Sequence, residues 1–196
     1  GILAKSDAVT VSTQYLLDRI SHKVRGDLIL VPNTVDIARF TRHQHIDNGP
    51  PLVGWVGSTA HRSGDLETVG GVLAPMYKKG EIRLHHSGHA PSHPSFASRI
   101  GLDDECVSTL PLAPHDKYPS LLVMDIGLVP LRDVPFNRAK SAIKGLEYAA
   151  AGVPFVAQDM DAYVELASHG VGRLAHRPRH WISQIKALHS AAVRTE

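Results

Sequence analysis

Cysteine is almost absent: Cys106 is the single one in 196 residues, so no disulfide can form within the chain and a small disulfide-stapled scaffold is excluded. We expect Cys106 to be a buried strand residue and the chain to work in a reducing, cytoplasmic compartment. No apolar run approaches the roughly 18 residues of a membrane span, and the first residues lack a basic segment followed by a long apolar one, so no membrane span is expected. One sign of charge does not dominate either. The 21 Lys and Arg against 19 Asp and Glu leave a formal charge of +2, dispersed without a block of five or six basic residues, and nucleic acid is not an expected partner. Neither G-x-G-x-x-G nor G-x-x-x-x-G-K-[ST] occurs, which removes the dinucleotide fingerprint and the P-loop. What the chain does have is 43% hydrophobic residues, enough for a sizeable core without disulfides or structural metal, and 13 histidines.

Apolar, β-branched runs recur at intervals filled by helical patterns. Ala8 to Ser12 and Leu28 to Val31 read as buried strands flanking a short helix capped by Ser12 or Thr13. The stretch 42–51, RHQHIDNGPP, is polar, His-rich and ends in Gly-Pro-Pro, which suits a linker. Beyond it, strands are expected at Leu52 to Val56, Ile82 to His86, Cys106 to Leu110, Met124 to Val129, Val153 to Ala157 and Val171 to Leu174. Helices are expected at Asp65 to Tyr77, Pro114 to Val123, Ser141 to Ala151, Asp161 to Ser168 and Trp181 to Ala192. This alternation predicts a doubly wound, mostly parallel α/β sheet that binds ligands at the carboxyl ends of its strands. The expected organisation is a strand-helix-strand unit over 1–41, a linker over 42–51 and a Rossmann-like domain over 52–196.

Two stretches carry candidate chemistry. From Leu52 to Leu66 a strand enters a loop of small residues and then a helix. Small residues let backbone approach a ligand, a helix start favours an anion, and Arg62 can add a charge-assisted contact; the plainer reading is a turn needing only Gly57 and a cap. From Asn137 to Gly152, Ile143, Leu146 and Ala150 share one helical face and Gly152 supplies the stop. Glu147, four residues after Ile143, is carried near that face and needs partners. Sugar hydroxyls are one such partner, with Lys140 and Ser141 at the helix start facing phosphate. A salt bridge to Lys144 or Lys140 is the other.

The order VPNTVD (Val31 to Asp36), GWVGSTAHRSGDL (Gly54 to Leu66) and MDIGLVPLRDVPFNRAKSAIKGLEYAAAGVPFVA (Met124 to Ala157) resembles the carboxyl half of a GT-B nucleotide-sugar glycosyltransferase, most closely of the family 4 type. The resemblance implies two Rossmann-like domains facing across a cleft, with this one holding the sugar nucleotide and a short remnant of the amino domain before it. Glu147 then matches the glutamate that binds ribose hydroxyls. Ser141, Ala142 and Ile143 offer backbone N–H groups to the diphosphate, Lys140 and Arg62 neutralise its charge as the catalytic cations, Lys144 adds to the same edge, and Gly57, Ser58, Thr59 and His61 line the opposite wall. The implied donor is a UDP- or GDP-sugar, the implied transfer retains configuration without a metal, and the acceptor, glycan, protein or lipid, is left open.

The chain departs from that pattern in two places. A second glutamate eight positions before Glu147 is replaced by Ala139, and Lys140 and Asn137 are expected to take over that edge. The length suits one of the two domains, so an amino-terminal half or a separate partner chain is expected to complete the site. Alternatives are a non-catalytic or degenerate nucleotide-binding or interaction module, and a GT-B nucleotide-sugar epimerase. His85, His86, His89 and His93 tempt a metal assignment, but Gly88, Pro91 and Pro94 break any helix there and no Cys or acid is close; a donor contact by His85 or His86, and a nucleobase edge at Val107 to Pro111, stay open. Trp55 and Phe155 are expected in the core, Asp125 in a local cap or pair, and Asp159 and Asp161 at the cap of the following helix.

Overall fold

A computed structural model describes residues 1–60 and 64–195. Six strands form one parallel sheet: β3 (Leu52–Val56), β4 (Arg83–His89), β5 (Val107–Pro111), β6 (Ile126–Val129), β7 (Phe155–Gln158) and β8 (Arg173–Ala175). Their spatial order is β5-β4-β3-β6-β7-β8, and every pairing is parallel. The chain thus winds outward from β3 to one edge, returns, and winds from β6 to the other. The reversal between β3 and β6 is the topological switch point at which such sheets open a crevice. A separate two-stranded parallel sheet, β1 (Ala8–Val11) and β2 (Asp27–Leu30), is linked by α1 (Gln14–Ile20), whose N-cap Thr13 accepts a hydrogen bond from the Leu16 N–H at 3.3 Å. The stretch 42–51 carries no helix or strand.

Both faces of the large sheet are covered. On one face, Val53, Trp55, Leu84, Ile126 and Leu128 pack against α2 (Glu67–Lys78), α3 (Phe96–Ile100) and α7 (Pro178–Ala187). On the other, Val56, Met124, Val129 and Phe155 meet Tyr148 and Tyr163, from α5 (Ile143–Ala150) and α6 (Asp161–Ser168). Trp55, at 4% exposure, and Phe155, at 2%, are core residues as expected.

Helix α5 approaches the sheet through missing side chains. A Cβ on Gly145 would lie 2.8 Å from the Phe155 ring, and one on Gly127 would lie 2.8 Å from the Tyr148 ring. Gly145 and Tyr148 are therefore the buried positions of α5, whereas Ile143, Leu146 and Ala150, expected to form its inner face, are half-buried. Sequence periodicity misses this because the closest contact is made by a glycine. Gly152, at φ 67°, stops the helix where the sequence places the stop.

Other differences have local causes. The segment 115–121 winds as a 3-10 helix around Pro119 instead of an α-helix. The closing helix splits into α7 and α8 (Ala191–Thr195). Cys106 lies half-buried in a 3-10 turn before β5 and is not a buried strand residue. Met160 is the N-cap of α6 and Asp161 its first residue, while Asp159 pairs with His176 at 3.3 Å. No described helix is long and apolar enough to cross a membrane.

Candidate functional site

Strands β3 and β6 pair only through Val53–Ile126 and Gly54–Gly127. Beyond those pairs α5 fills the gap with two side chains. The buried Tyr148 hydroxyl accepts from the Val56 N–H at 3.3 Å and donates to the Leu128 carbonyl at 3.4 Å, bridging the two strands. Burial raises its pKa above the ordinary tyrosine value. Lys144 Nζ donates to the Val56 carbonyl and stands 5.7 Å from the centre of the Trp55 ring. The switch point is thus held open and floored by one helix.

Above it lies a cavity of about 360 Å³, lined by Trp55, Asp65, Val129, Pro130, Leu131, Ala139, Lys140, Ser141, Ile143, Lys144 and Tyr163, with Ser12 and Asn33 from the small-sheet side. Thr13 Oγ1 donates to the Ala139 carbonyl at 3.2 Å and Asn33 Nδ2 to Ser141 Oγ at 2.7 Å, so the amino-terminal unit helps fix the loop that precedes α5. That helix has Ala142 as N-cap, no side-chain cap and no acidic residue in its first turn. Its leading N–H groups lack intrahelical partners, and the positive end of its dipole faces this region between Lys140 and Lys144. The arrangement suits an anion.

Ile143 also lines a second cavity, of about 290 Å³, with Thr34, Val35, Asp36, Arg39, Phe40, His115, Tyr118, Pro119 and Glu147. Here the Tyr118 hydroxyl donates to Glu147 Oε2 at 2.6 Å. Burial, reinforced by the Glu147 carboxylate, raises the Tyr118 pKa well above its ordinary value, so Tyr118 stays a donor at any ordinary pH. Neither of the salt bridges considered for Glu147 forms: Lys144 is bound to Val56, and Lys140 donates to Asn137 Oδ1 and stands 3.8 Å from Asp65 Oδ2.

The structure brings Lys140, Ser141, Ile143 and Lys144 to one cavity and sets Glu147 in its neighbour. Ala142 is buried at 8% and Asn137 at 4%. Asn137 is committed to internal hydrogen bonds, donating to Asp65 Oδ1 at 2.7 Å and to the Arg132 carbonyl at 2.9 Å. Gly57 and Ser58 are half-buried and Thr59 fully buried, and none of the three lines either cavity. His61 and Arg62 lie outside the described residues. His85 and His86 are buried away from the 360 Å³ cavity. His85 bonds Ser108 and Ser87, each at 2.8 Å, and His86 donates to the Gly57 carbonyl at 2.8 Å while stacking on Trp55 and Phe96. Burial, then the neighbouring His86, lowers the His85 pKa to about 4.

Asp65, Tyr118 and Tyr148 were not singled out by sequence. Asp65 looks like a helix-start residue, and its partners Arg132 and Asn137 come 67 and 72 positions later. A second cluster occupies the opposite end of the sheet, where Asp125, expected in a local cap or pair, is instead held by partners distant in sequence, the Leu52 N–H 73 positions away and His45 80 positions away. His43 Nε2 lies 3.5 Å from Asp125 Oδ1, and so does His45 Nδ1. One donor atom from each of the three falls within 4.8 Å of the others, but a protein cation already fills the role a metal ion would have there. The cation standing beside them is Arg194, whose side chain is 1% exposed. Its Nε is 3.4 Å from His45 Nδ1 and its Nη2 is 3.7 Å from Asp125 Oδ1. Burial raises the Asp125 carboxyl pKa, but His43, the Leu52 N–H and Arg194 outweigh it and hold the group well below the ordinary carboxylate range.

No family model matches the chain, and no curated protein does either. Solved structures do. The chain is similar to TarM, at TM-score 0.65 and 14% identity over 99% of this chain and 39% of that one. It is similar to Anabaena Alr3699/HepE in complex with UDP and glucose, at 0.69 and 17% over 97% and 57%. WaaG, a glycosyltransferase involved in lipopolysaccharide biosynthesis, matches at 0.65 and 15% over 95% and 55%. The chain therefore has the fold of the Rossmann-like domain of GT-B glycosyltransferases. It spans between about two-fifths and somewhat over half of the length of these neighbours.

Proposed function

We propose that this chain is the donor-binding half of a retaining glycosyltransferase, holding a UDP- or GDP-sugar for transfer to a glycan, protein or lipid acceptor in the cytoplasm. The observation that carries the reading is the uncapped start of α5, flanked by Lys140 and Lys144, opening on the cavity at the carboxyl ends of β3 and β6. In this reading the diphosphate sits over Ser141, Ala142 and Ile143, whose N–H groups and the adjacent lysines neutralise it. The nucleoside extends past Ile143 into the cavity of Phe40, Tyr118 and Glu147, and the ribose hydroxyls donate to the Glu147 carboxylate, which Tyr118 orients from its other side. The sugar enters the 360 Å³ cavity. Breaking the bond between sugar and phosphate leaves charge on a nucleoside diphosphate, and preformed donors and cations at the helix start stabilise that charge as it develops. No metal is required by this scheme. The acceptor side is supplied by an amino-terminal half, in the same polypeptide or as a partner chain.

The test is calorimetric titration of the chain with UDP, GDP and ADP beside Glu147→Ala. Saturable binding of one nucleotide, weakened about tenfold or more in the variant while its melting temperature holds, supports the reading. Equal affinity in the variant overturns the ribose assignment. A second reading, a nucleotide-binding or interaction module without transfer, is favoured by the internal ties of Lys144 to Val56 and Glu147 to Tyr118; donor bound but never consumed in the presence of the missing half would select it.

A further inference from the structure

Asp65 is the one acid among the described residues lining the 360 Å³ cavity, and its two carboxylate oxygens have different surroundings. Oδ1 is fully committed, accepting from the Arg132 N–H at 2.9 Å and from Asn137 Nδ2 at 2.7 Å. Oδ2 receives no hydrogen bond from any described residue; its near neighbour is Lys140 Nζ at 3.8 Å, beyond hydrogen-bond reach. The side chain is 10% exposed. The space beside Oδ2 is the cavity that Asp65 lines, and the oxygen keeps acceptor capacity open toward it. Its carboxylate plane is set by Oδ1, because two donors from the loop after β6 and from α4 (Pro135–Arg138) hold that oxygen. Lys140 is placed by the same cluster, since it also donates to Asn137 Oδ1.

We propose that Asp65 Oδ2 is the hydroxyl-reading group of this cavity, accepting hydrogen bonds from the sugar of a nucleotide sugar while Lys140 balances its charge. This rests on the donor-binding reading above and adds to it the residue that senses the sugar. The charge arithmetic makes the placement workable. An aspartate alone would repel a diphosphate, but the lysine ammonium beside it leaves the pair near neutral, so the carboxylate can face hydroxyls while the helix start faces phosphate. Leu131 and Val129 supply an apolar wall against which the C–H face of a pyranose can lie. The same position cannot serve a bare nucleoside diphosphate, which carries no hydroxyls beyond its ribose.

The experiment compares UDP and GDP with UDP-glucose, UDP-N-acetylglucosamine and GDP-mannose by calorimetry, on the full chain and on Asp65→Asn. The amide keeps an oxygen for Arg132 and Asn137 and turns an N–H₂ toward the cavity. The expected result is that one sugar nucleotide binds the parent chain at least tenfold more tightly than its nucleoside diphosphate. Asp65→Asn should erase that preference while nucleoside diphosphate affinity stays equal to or rises above that of the parent chain, since Lys140 loses the carboxylate beside it. Preference intact in the variant overturns the proposal but leaves the donor-binding reading standing. No nucleotide of any kind bound by the parent chain overturns both. If Asp65→Asn does not fold, the parent chain decides: among the deoxyfluoro analogues of the preferred sugar nucleotide, at least one should bind tenfold more weakly, and equal affinity for all of them overturns the proposal.

Discussion

At the amino ends of the strands, Asp125 is met by two imidazoles, the Leu52 N–H and a buried guanidinium; at the carboxyl ends, Asp65 spends one oxygen on Arg132 and Asn137 and turns the other toward a cavity. Both aspartates are 7% exposed, so burial does not distinguish them. Partners do. The Asp125 cluster ties the 42–51 stretch, the start of β3 and the last helix to one point: His45 reaches the Gly152 carbonyl at 2.9 Å, and Arg194 Nη1 donates to the Leu188 carbonyl at 3.0 Å. It satisfies itself. The Asp65 cluster, beside the uncapped start of α5, does not. The first cluster ties the fold together, and in the second Asp65 Oδ2 keeps acceptor capacity open on a cavity wall.

Asp125→Ala should lower stability more than any other single change in either cluster. Arg194 keeps Asp47 at 3.8 Å, but loss of the acid that gathers His43, His45 and the Leu52 N–H costs roughly 3 kcal/mol, read as a lowered melting temperature, while the folded fraction keeps its nucleotide affinity. Glu147→Ala should act in the opposite way, weakening nucleotide binding about tenfold with little change in melting. Tyr148→Phe sharpens the contrast, because it removes both hydrogen bonds across the switch point. It should cost about 1 kcal/mol in chemical denaturation and loosen the cavity floor without removing any group that touches ligand.

Two pH effects are expected to be smaller at neutral pH. The Asp125 carboxyl is held well below the ordinary aspartate value, so its contribution is complete above that ordinary value and is lost as pH falls through the lower folded-state value. Acid titration of stability should therefore steepen below about pH 4 in the parent chain and flatten in Asp125→Asn. His85 is also depressed, from 6.5 to about 4. The unfolded chain binds its proton first, so this stabilisation is full above 6.5 and declines as pH falls toward 4. His85→Gln should remove that slope, measured by urea denaturation at pH 7, 5.5 and 4.5.

The alternation of strands and helices was legible because apolar runs and helical patterns repeat along the chain, and the structure keeps all eight strands within a few residues of their expected places; β1 and β2, expected as buried strands, are mostly exposed, because their two-stranded sheet stands apart from the large one. Gly152 was legible as a helix stop for the same local reason. The face of α5 was not, because Gly145 packs closer than Ile143 and no hydrophobicity pattern counts glycine as an inner residue. The segment near Pro119 fits a helical pattern in composition and takes the tighter 3-10 winding. At the site, Ser141 and Lys140 were legible from the helix start they announce. Asp65 was not, since its meaning depends on Asn137 and Arg132 arriving from the far side of the sheet. His43, His45, Asp125 and Arg194 were illegible in the same way: up to 149 positions separate residues that touch.

Whether the start of α5 holds a nucleotide is decided by an amide chemical-shift titration of the isotopically labelled chain with UDP and with GDP. One of the two should shift Ser141, Ala142, Ile143, Lys144, Glu147 and Tyr118 in a saturable way and leave His43, His45, Asp125 and Arg194 unmoved. Shifts centred on the Asp125 cluster, or none at the start of α5, would contradict the donor-binding reading.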